Sequence, residues 1–307
     1  MPMKKENLIF RDIFDLVGNT PLIDLSDLLD RGSKVRLYAK AEWYNPGGSV
    51  KDRPAKEIIL QAEKEGKLTP EKSILDATSG NMGLSYTLLG KSKGYKVTLC
   101  LPENASLERK RLLKIFGAEL IITNPLEGID GAIITARELY QKFPEKYFYA
   151  DQYSNPANYM AHYKTTGPEI WEQTNGEITH FVAGLGTSGT MIGVGRYLKE
   201  KNSQIKLIGI QPDHPLHGIE GLKHMKSALR PKIYQEELLD EHIFISTEEA
   251  YRLVKKLLSV KGLFIGVSSG AALAGALRVA KSLKSGTIVT LFPDNGYKYL
   301  SESFWED

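Results

Sequence analysis

Apolar and polar positions alternate along the chain in two different rhythms. Short runs rich in β-branched residues recur at KVRLYAKAEW (34–43), SILDA (73–77), KVTLCL (96–101), AELIIT (118–123), ITHFVAG (178–184), KLIGIQP (206–212) and TIVTLFPD (287–294). They read as strands, and the near-continuous apolar character of several predicts burial on both faces, as in parallel sheets. Between them lie longer stretches with one apolar helical face. SLERKRLLKIFG (106–117) sets its leucines, Ile115 and Phe116 against a basic side. The alternation predicts an α/β architecture with helices covering mostly parallel sheets. No internal repeat or Ser/Gly-rich linker interrupts it, and 307 residues suit two α/β lobes with a site in the cleft between them.

Polar, glycine-rich turns follow several of these strands. NPGGSVKDRPAKEII (45–59) turns through Asn-Pro-Gly-Gly, offers Ser49 as a helix cap and sets Lys51 in the first helical turn. Unpaired backbone N–H groups make that end partly positive, so a lysine there is either a slightly misplaced surface charge or an amine wanted in its neutral form. FVAGLGTSGTMIGVGRYLKE (181–200) carries Gly184, Gly186 and Gly189 in the Gly-x-Gly-x-x-Gly spacing, between a strand and a helix. The dinucleotide reading of that spacing also needs an acidic residue at the end of the next strand, which here ends in Gln211 and Pro212. What the stretch supports is a phosphate cradle: backbone N–H groups at a helix start, flanked by the hydroxyls of Thr187, Ser188 and Thr190. DATSGNMG (76–83) crowds Thr78, Ser79 and Asn81 around Gly80, a turn suited to a carboxylate. GVSSGAALAGALRVAK (266–281) places Ser268 and Ser269 before a helix of small residues. Each turn alone is also an ordinary helix cap. Together they describe a pocket for a small molecule bearing phosphate and carboxylate groups, with an amine nucleophile nearby.

Composition narrows the class. Basic and acidic side chains nearly balance, 40 against 37, for a net charge of +3. That balance argues against nucleic acid or an anionic membrane as the main partner. The amino-terminal stretch is broken by charges, no apolar run is long enough to span a bilayer, and a cytoplasmic location is expected. Cys100, the only cysteine, reads as a buried strand residue. His214 and His217 have no third ligand near them in sequence, so no metal site is expected.

NPGGSVKDRPA, ATSGNMG, DQYSNPANYMAHYKTTGPEIWEQT, GLGTSGT and GVSSGAA occur in the order found in the cysteine synthase family. The chain resembles that family from about Asp12 to Leu300, and most of all its B-type branch. These are pyridoxal-phosphate enzymes of fold type II, the tryptophan-synthase-β type. The resemblance implies a smaller lobe over 46–156, carrying Lys51 and the substrate-carboxylate loop, and a larger lobe over 1–45 plus 157–307, carrying the cofactor phosphate loop. It implies that Lys51 forms the Schiff base with pyridoxal 5'-phosphate. Gly186, Thr187, Ser188, Gly189 and Thr190 would bind its phosphate, Asn81 would lie beside its ring hydroxyl and Ser268 would face its ring nitrogen. Thr78, Ser79, Asn81 and Gln152 would hold the substrate carboxylate.

The implied reaction is β-replacement: an O-activated L-serine (O-acetylserine or O-phosphoserine) and sulfide or another sulfur donor give L-cysteine through an α-aminoacrylate. An amine pKa lowered by burial and nearby positive charge would suit Lys51 to that chemistry. Met82 replaces the family's usual threonine, which is expected to bring a thioether to the mouth of the site. Lys223, in HGIEGLKHMKSALRP (217–231), lies where relatives discriminate leaving groups, and could serve a phosphate or be a solvated loop lysine. The rival readings are a cystathionine β-synthase-type condensation with homocysteine and a non-catalytic binding protein. Relatives are homodimers, and one branch binds a serine acetyltransferase, which the B-type features make less expected here.

Overall fold

The computed structural model describes residues 10–78 and 80–306. Its strands in chain order are β1 (Leu22–Asp24), β2 (Lys34–Ala41), β3 (Ser73–Ala77), β4 (Lys96–Pro102), β5 (Glu119–Thr123), β6 (Tyr147–Tyr149), β7 (His180–Gly184), β8 (Lys206–Pro212), β9 (Glu241–Ile245) and β10 (Ser285–Phe292). The helices are α1 (Asp52–Lys64), α2 (Asn81–Ser92), α3 (Leu107–Ile115), α4 (Gly128–Lys142), α5 (Pro156–Ala161), α6 (Gly167–Gln173), α7 (Gly189–Lys201), α8 (Thr247–Lys261) and α9 (Val267–Ser282), with a π-helical segment, His162–Thr166, joining α5 to α6.

The strands form a six-stranded sheet, β1-β2-β10-β7-β8-β9, and a four-stranded sheet, β5-β4-β3-β6. All pairings are parallel except β1 on β2. SILDA and KLIGIQP become β3 and β8 at the limits their sequences predict. β1, β6 and β9 are not among the predicted strands; two are three residues long and β9 is an edge strand. Burial on both faces holds for the inner strands, β3 being buried throughout, while the edge strands β5 and β9 keep some side chains exposed.

Each sheet has a core on both sides. On the larger sheet, Val254, Leu257, Ala271 and Ala274 of α8 and α9 pack on Val182 and Ile210, and Ile192 and Leu198 of α7 pack with Phe181 and Val289 opposite. On the smaller sheet, Ile59, Leu89 and Leu113 meet Ile74 and Leu99, while Ala132, Ile133 and Ala136 of α4 cover Leu75 and Cys100. Burying each large aliphatic side chain contributes about 1.5–3 kcal/mol. Cys100 is fully buried, and burial together with the nearby Asp76 carboxylate pushes its thiol up to about 12. No helix among the described residues is long and apolar enough to cross a membrane.

Parallel strands deliver their carboxyl ends to one edge, where turns lead into helix starts. β3 runs through Thr78 and Gly80 into α2, β7 runs through 185–188 into α7, and β10 ends in the turn Pro293-Asp294-Asn295-Gly296. A buried charge quartet fixes α1 against the larger sheet. Arg53 Nε donates to Glu42 Oε2 at 2.7 Å, its Nη1 donates to Glu169 Oε1 at 2.6 Å, and Lys40 Nζ lies 2.7 Å from Glu169 Oε2. Two cations and two carboxylates balance there, which is what makes their burial tolerable.

Candidate active site

The turn before α1 folds tightly on itself. The Asp52 carboxylate accepts the Gly47 N–H and the Ser85 hydroxyl, each at 2.5 Å, and Gly48 supplies a left-handed φ of +71°. Lys51 takes the N-cap position, one residue before the first helical turn the sequence predicts for it, and Ser49 Oγ accepts its N–H at 3.3 Å. Its amine is held below the ordinary lysine value, first by burial; the Lys298 ammonium pushes the same way, while Asp294 and Glu42 oppose. The neutral-amine alternative is thus favoured by packing more than by the helix end.

Asp294 connects the helix starts. Its backbone pairs with Ser49, its carbonyl accepts the Gly266 N–H at 3.1 Å, and its Oδ2 accepts from Asn81 Nδ2 at 2.6 Å and from the Tyr299 hydroxyl at 2.8 Å. Lys298 Nζ donates to Asn81 Oδ1 at 2.6 Å and to Gly47 O at 3.1 Å. Sequence reasoning missed Asp294, Lys298 and Tyr299. The one available signal was that FPDNGYKYL (292–300) is another polar turn after a strand.

The 185–190 segment forms a concave cradle. Ser188 adopts a left-handed φ of +68°, which costs about 1–3 kcal/mol for a residue other than glycine. Among the described residues nothing accepts the N–H groups of Gly186, Thr187 and Ser188. A Cβ on Gly186 would strike Gly221 O, and one on Gly189 would strike Asn158 Oδ1. Thr187 Oγ1 accepts from Asn158 Nδ2 at 3.1 Å and from Gly189 N–H at 3.3 Å, leaving its own hydrogen free to point into the cradle. Ser268 is buried in the first turn of α9, not ahead of the helix, with its Oγ 4.0 Å from where a Gly221 Cβ would stand. Gly221 therefore borders both the cradle and Ser268.

The carboxylate-suited turn is more open. Thr78 Oγ1 accepts the Gly80 N–H at 3.2 Å, and Ser79 lies outside the described residues. Gln152 is buried, donating from Nε2 to Ala77 O at 3.0 Å and from its backbone to Asp76 Oδ2 at 3.3 Å; it braces the strand end that carries the turn. Met82 corrects the sequence expectation. Its side chain is only 2% exposed and packs in the smaller lobe's core, because the second position of α2 faces inward. Lys223 is neither free nor at the mouth: it is 7% exposed, donates to Asp130 Oδ1 at 3.0 Å and lies over the Tyr153 ring. The charged group of that segment that does reach the turn is Glu220, whose Oε1 lies 3.6 Å from a Cβ placed on Gly80 and pairs with Arg109 of α3. Burial pushes the Glu220 carboxyl up, and Arg109 pulls it back.

Parallel sheets in two lobes, a buried amine and a donor-rich cradle at converging helix starts suit an enzyme whose cofactor carries a phosphate and reacts with an amine. The chain matches the model of the pyridoxal-phosphate dependent enzyme family over residues 13–294, and it belongs to that family. It is 51% identical over 301 residues to a cysteine synthase of Aquifex aeolicus, spanning 96% of this chain and 92% of that protein. It is 41% identical over 294 residues to cysteine synthase B of Pseudomonas aeruginosa, spanning 96% and 97%. Among solved structures, a cysteine synthase (OASS) from Entamoeba histolytica superposes with a TM-score of 0.92 at 37% identity, over 100% of this chain and 93% of that one. The fold is accordingly pyridoxal-phosphate fold type II, and the cofactor is pyridoxal 5'-phosphate. The residues present fit it: N–H groups at 186–188 with no acceptor among the described residues and the free Thr187 hydroxyl hydrogen suit its phosphate, although the Ser188 hydroxyl is spent on Thr187 O; a depressed amine at Lys51 suits its aldehyde, and a neutral hydroxyl at Ser268 suits its ring nitrogen.

Proposed function

We infer that this enzyme makes L-cysteine by β-replacement, taking O-acetyl-L-serine as donor and sulfide as nucleophile. The observation that carries the reading is the placement of Lys51 two residues after the Ser49–Asp294 bridge, where the helix starts meet, with its amine depressed by burial. When bound, pyridoxal phosphate supplies an aldehyde that condenses with amines and a conjugated ring that takes up the electron pair left at Cα. The chain's own residues do the rest. Lys51 Nζ anchors the cofactor, then takes the proton from the donor's Cα and later returns it. The 186–190 cradle fixes the phosphate, Ser268 accompanies the ring nitrogen without adding charge, and Asn81, cross-linked to Asp294 and Lys298, sits beside the ring hydroxyl. Thr78, Ser79, Asn81 and Gln152 belong to the carboxylate-binding turn or its support.

One observation favours an acetyl over a phosphate leaving group: Lys223, the cation of the segment, is already committed to Asp130. The same reading takes 46–156 and 1–45 plus 157–307 as the two lobes, and treats the enzyme as a cytoplasmic homodimer, which sedimentation and cell fractionation check. Catalysis is tested by mixing holoenzyme separately with O-acetylserine, O-phosphoserine and serine while recording the visible spectrum. O-acetylserine is expected to shift the spectrum, and sulfide to restore it with release of cysteine. A spectrum that no donor changes, or one that only homocysteine restores, overturns the assignment.

A further inference from the structure

His162 lies directly behind the cradle, and nothing in the site's chemistry so far has used it. It begins the π-helical segment between α5 and α6. Pro168, at the start of α6, has no N–H to give to the carbonyl four residues back, and its ring crowds that carbonyl. The Gly167 N–H bonds instead to His162 O, five residues back, and the helix widens. α7 approaches this widened turn closely because Gly193 has no side chain; a Cβ there would stand 2.7 Å from His162 Cβ. The approach brings His162 Nε2 to 3.3 Å from Thr190 Oγ1, while Nδ1 lies 2.9 Å from Thr166 Oγ1. The imidazole is 1% exposed. Burial, followed by the positive charges of Arg53 and Lys51, holds it well below the ordinary histidine value, so it is neutral and carries a single N–H.

A neutral ring has two ways to share hydrogens with its two threonines. With the hydrogen on Nδ1, the Thr190 hydroxyl spends its only hydrogen on Nε2 and turns oxygen lone pairs toward the cradle. With the hydrogen on Nε2, Thr166 donates to Nδ1, Nε2–H donates to Thr190 Oγ1, and the Thr190 hydrogen is released into the cradle. Thr187 already has this second arrangement, since two N–H donors occupy its oxygen. An anion is bound by hydrogens, not by lone pairs.

We propose that His162 is a positioning residue for the cofactor phosphate: as the Nε2–H tautomer it donates to Thr190 Oγ1 and so orients the Thr190 hydroxyl hydrogen at a phosphate oxygen. This rests on the reading of 186–190 as the phosphate cradle. In the fully occupied protein, Asn158 behind Thr187 and His162 behind Thr190 aim two hydroxyls at one anion.

The test uses holoenzyme labelled with 15N-histidine. A proton-coupled nitrogen spectrum should show His162 as the neutral Nε2–H tautomer; the Nδ1–H form or the imidazolium would overturn the proposal, and this measurement needs no variant. Substitution adds a second readout. H162N cannot reach Thr190 and is expected to weaken pyridoxal phosphate about 10- to 100-fold, the loss of one charge-assisted hydrogen bond, and to move the 31P resonance of the bound phosphate. H162Q, whose amide nitrogen can stand in for Nε2, should restore affinity to within about threefold, the scale of a small adjustment in one retained bond. T190A combined with H162N should cost no more than T190A alone. Additive losses, or an H162N enzyme with wild-type affinity and an unmoved 31P signal, would show that His162 only packs. Borohydride fixation of cofactor on Lys51 in the wild type reports separately on the proposed function.

Discussion

The phosphate cradle and the carboxylate turn are built from the same parts and differ in how they are packed. Each follows a parallel strand, β7 or β3, passes through glycine and hydroxyl residues, and ends at a helix start. The cradle has no slack: Gly186 abuts Gly221 O, Gly189 abuts Asn158, and Ser188 is held in a strained backbone conformation. The carboxylate turn has room. Among the described residues, a Cβ on Gly80 would meet only Glu220, at ordinary contact distance, and Glu220 pairs with Arg109 of α3. A cofactor that stays bound rewards a preformed site, whereas a donor that enters and leaves every cycle needs a turn that can open. The lesson is that local sequence chemistry marks an anion site, while packing around it decides whether the site is permanent or transient.

Four experiments test this contrast. The largest effect should come from beneath the carboxylate turn. Asp76 is fully buried, and burial pushes its carboxyl from the ordinary 3.8 up to about 7. Between those values the folded protein holds a proton the unfolded chain has lost, so its contribution is fully present below about pH 4 and disappears as pH rises through about 7. Replacing Asp76 with Asn should remove that slope, on the order of 4 kcal/mol at most, from urea unfolding of the cofactor-free protein between these pH values. Equal slopes in the two proteins would mean that Asp76 titrates normally.

The next effect belongs to the cradle. Gly186→Ala forces a Cβ against backbone and should cost about 1–3 kcal/mol of cofactor affinity, read by equilibrium dialysis of pyridoxal phosphate. Arg109→Gln, which breaks a partly exposed ion pair, should change stability by about 1 kcal/mol or less while raising KM for the donor more than it lowers kcat. Smallest is Gly80→Ala. A methyl group finds ordinary contact there, so stability should stay within about 0.5 kcal/mol and cofactor affinity should be unchanged, with the donor KM alone rising. If Gly80→Ala weakened the cofactor as much as Gly186→Ala, the two turns would be equally rigid and the contrast would fail.

Much of the proposed site could be read along the chain because its polar groups are local. Residues 186–190 form their own concave loop, Ser268 follows its own turn and Lys51 follows its own glycines. The readings that went astray depended on direction. Met82 stands in the right turn but one helical position onward, where the side chain points into the core. Lys223 lies in the right segment, yet Asp130 of the other lobe claims its amine, and Glu220 three residues earlier is the group that reaches the turn. Asp294 and Lys298 were invisible as partners of Asn81, because more than two hundred residues separate the ends of those bonds.

The alternation of strands and helices, the burial of the inner strands and the polar make-up of each turn were all written in the sequence, because periodicity and turn residues act over a few neighbours. Which turns face one another, that Asp294 joins them, that the Lys51 amine is desolvated and that His162 stands behind Thr190 came from the folding of distant segments together. Those properties depend on distances between segments far apart in the chain and on the exclusion of water by both lobes, and neither is a property of any short stretch.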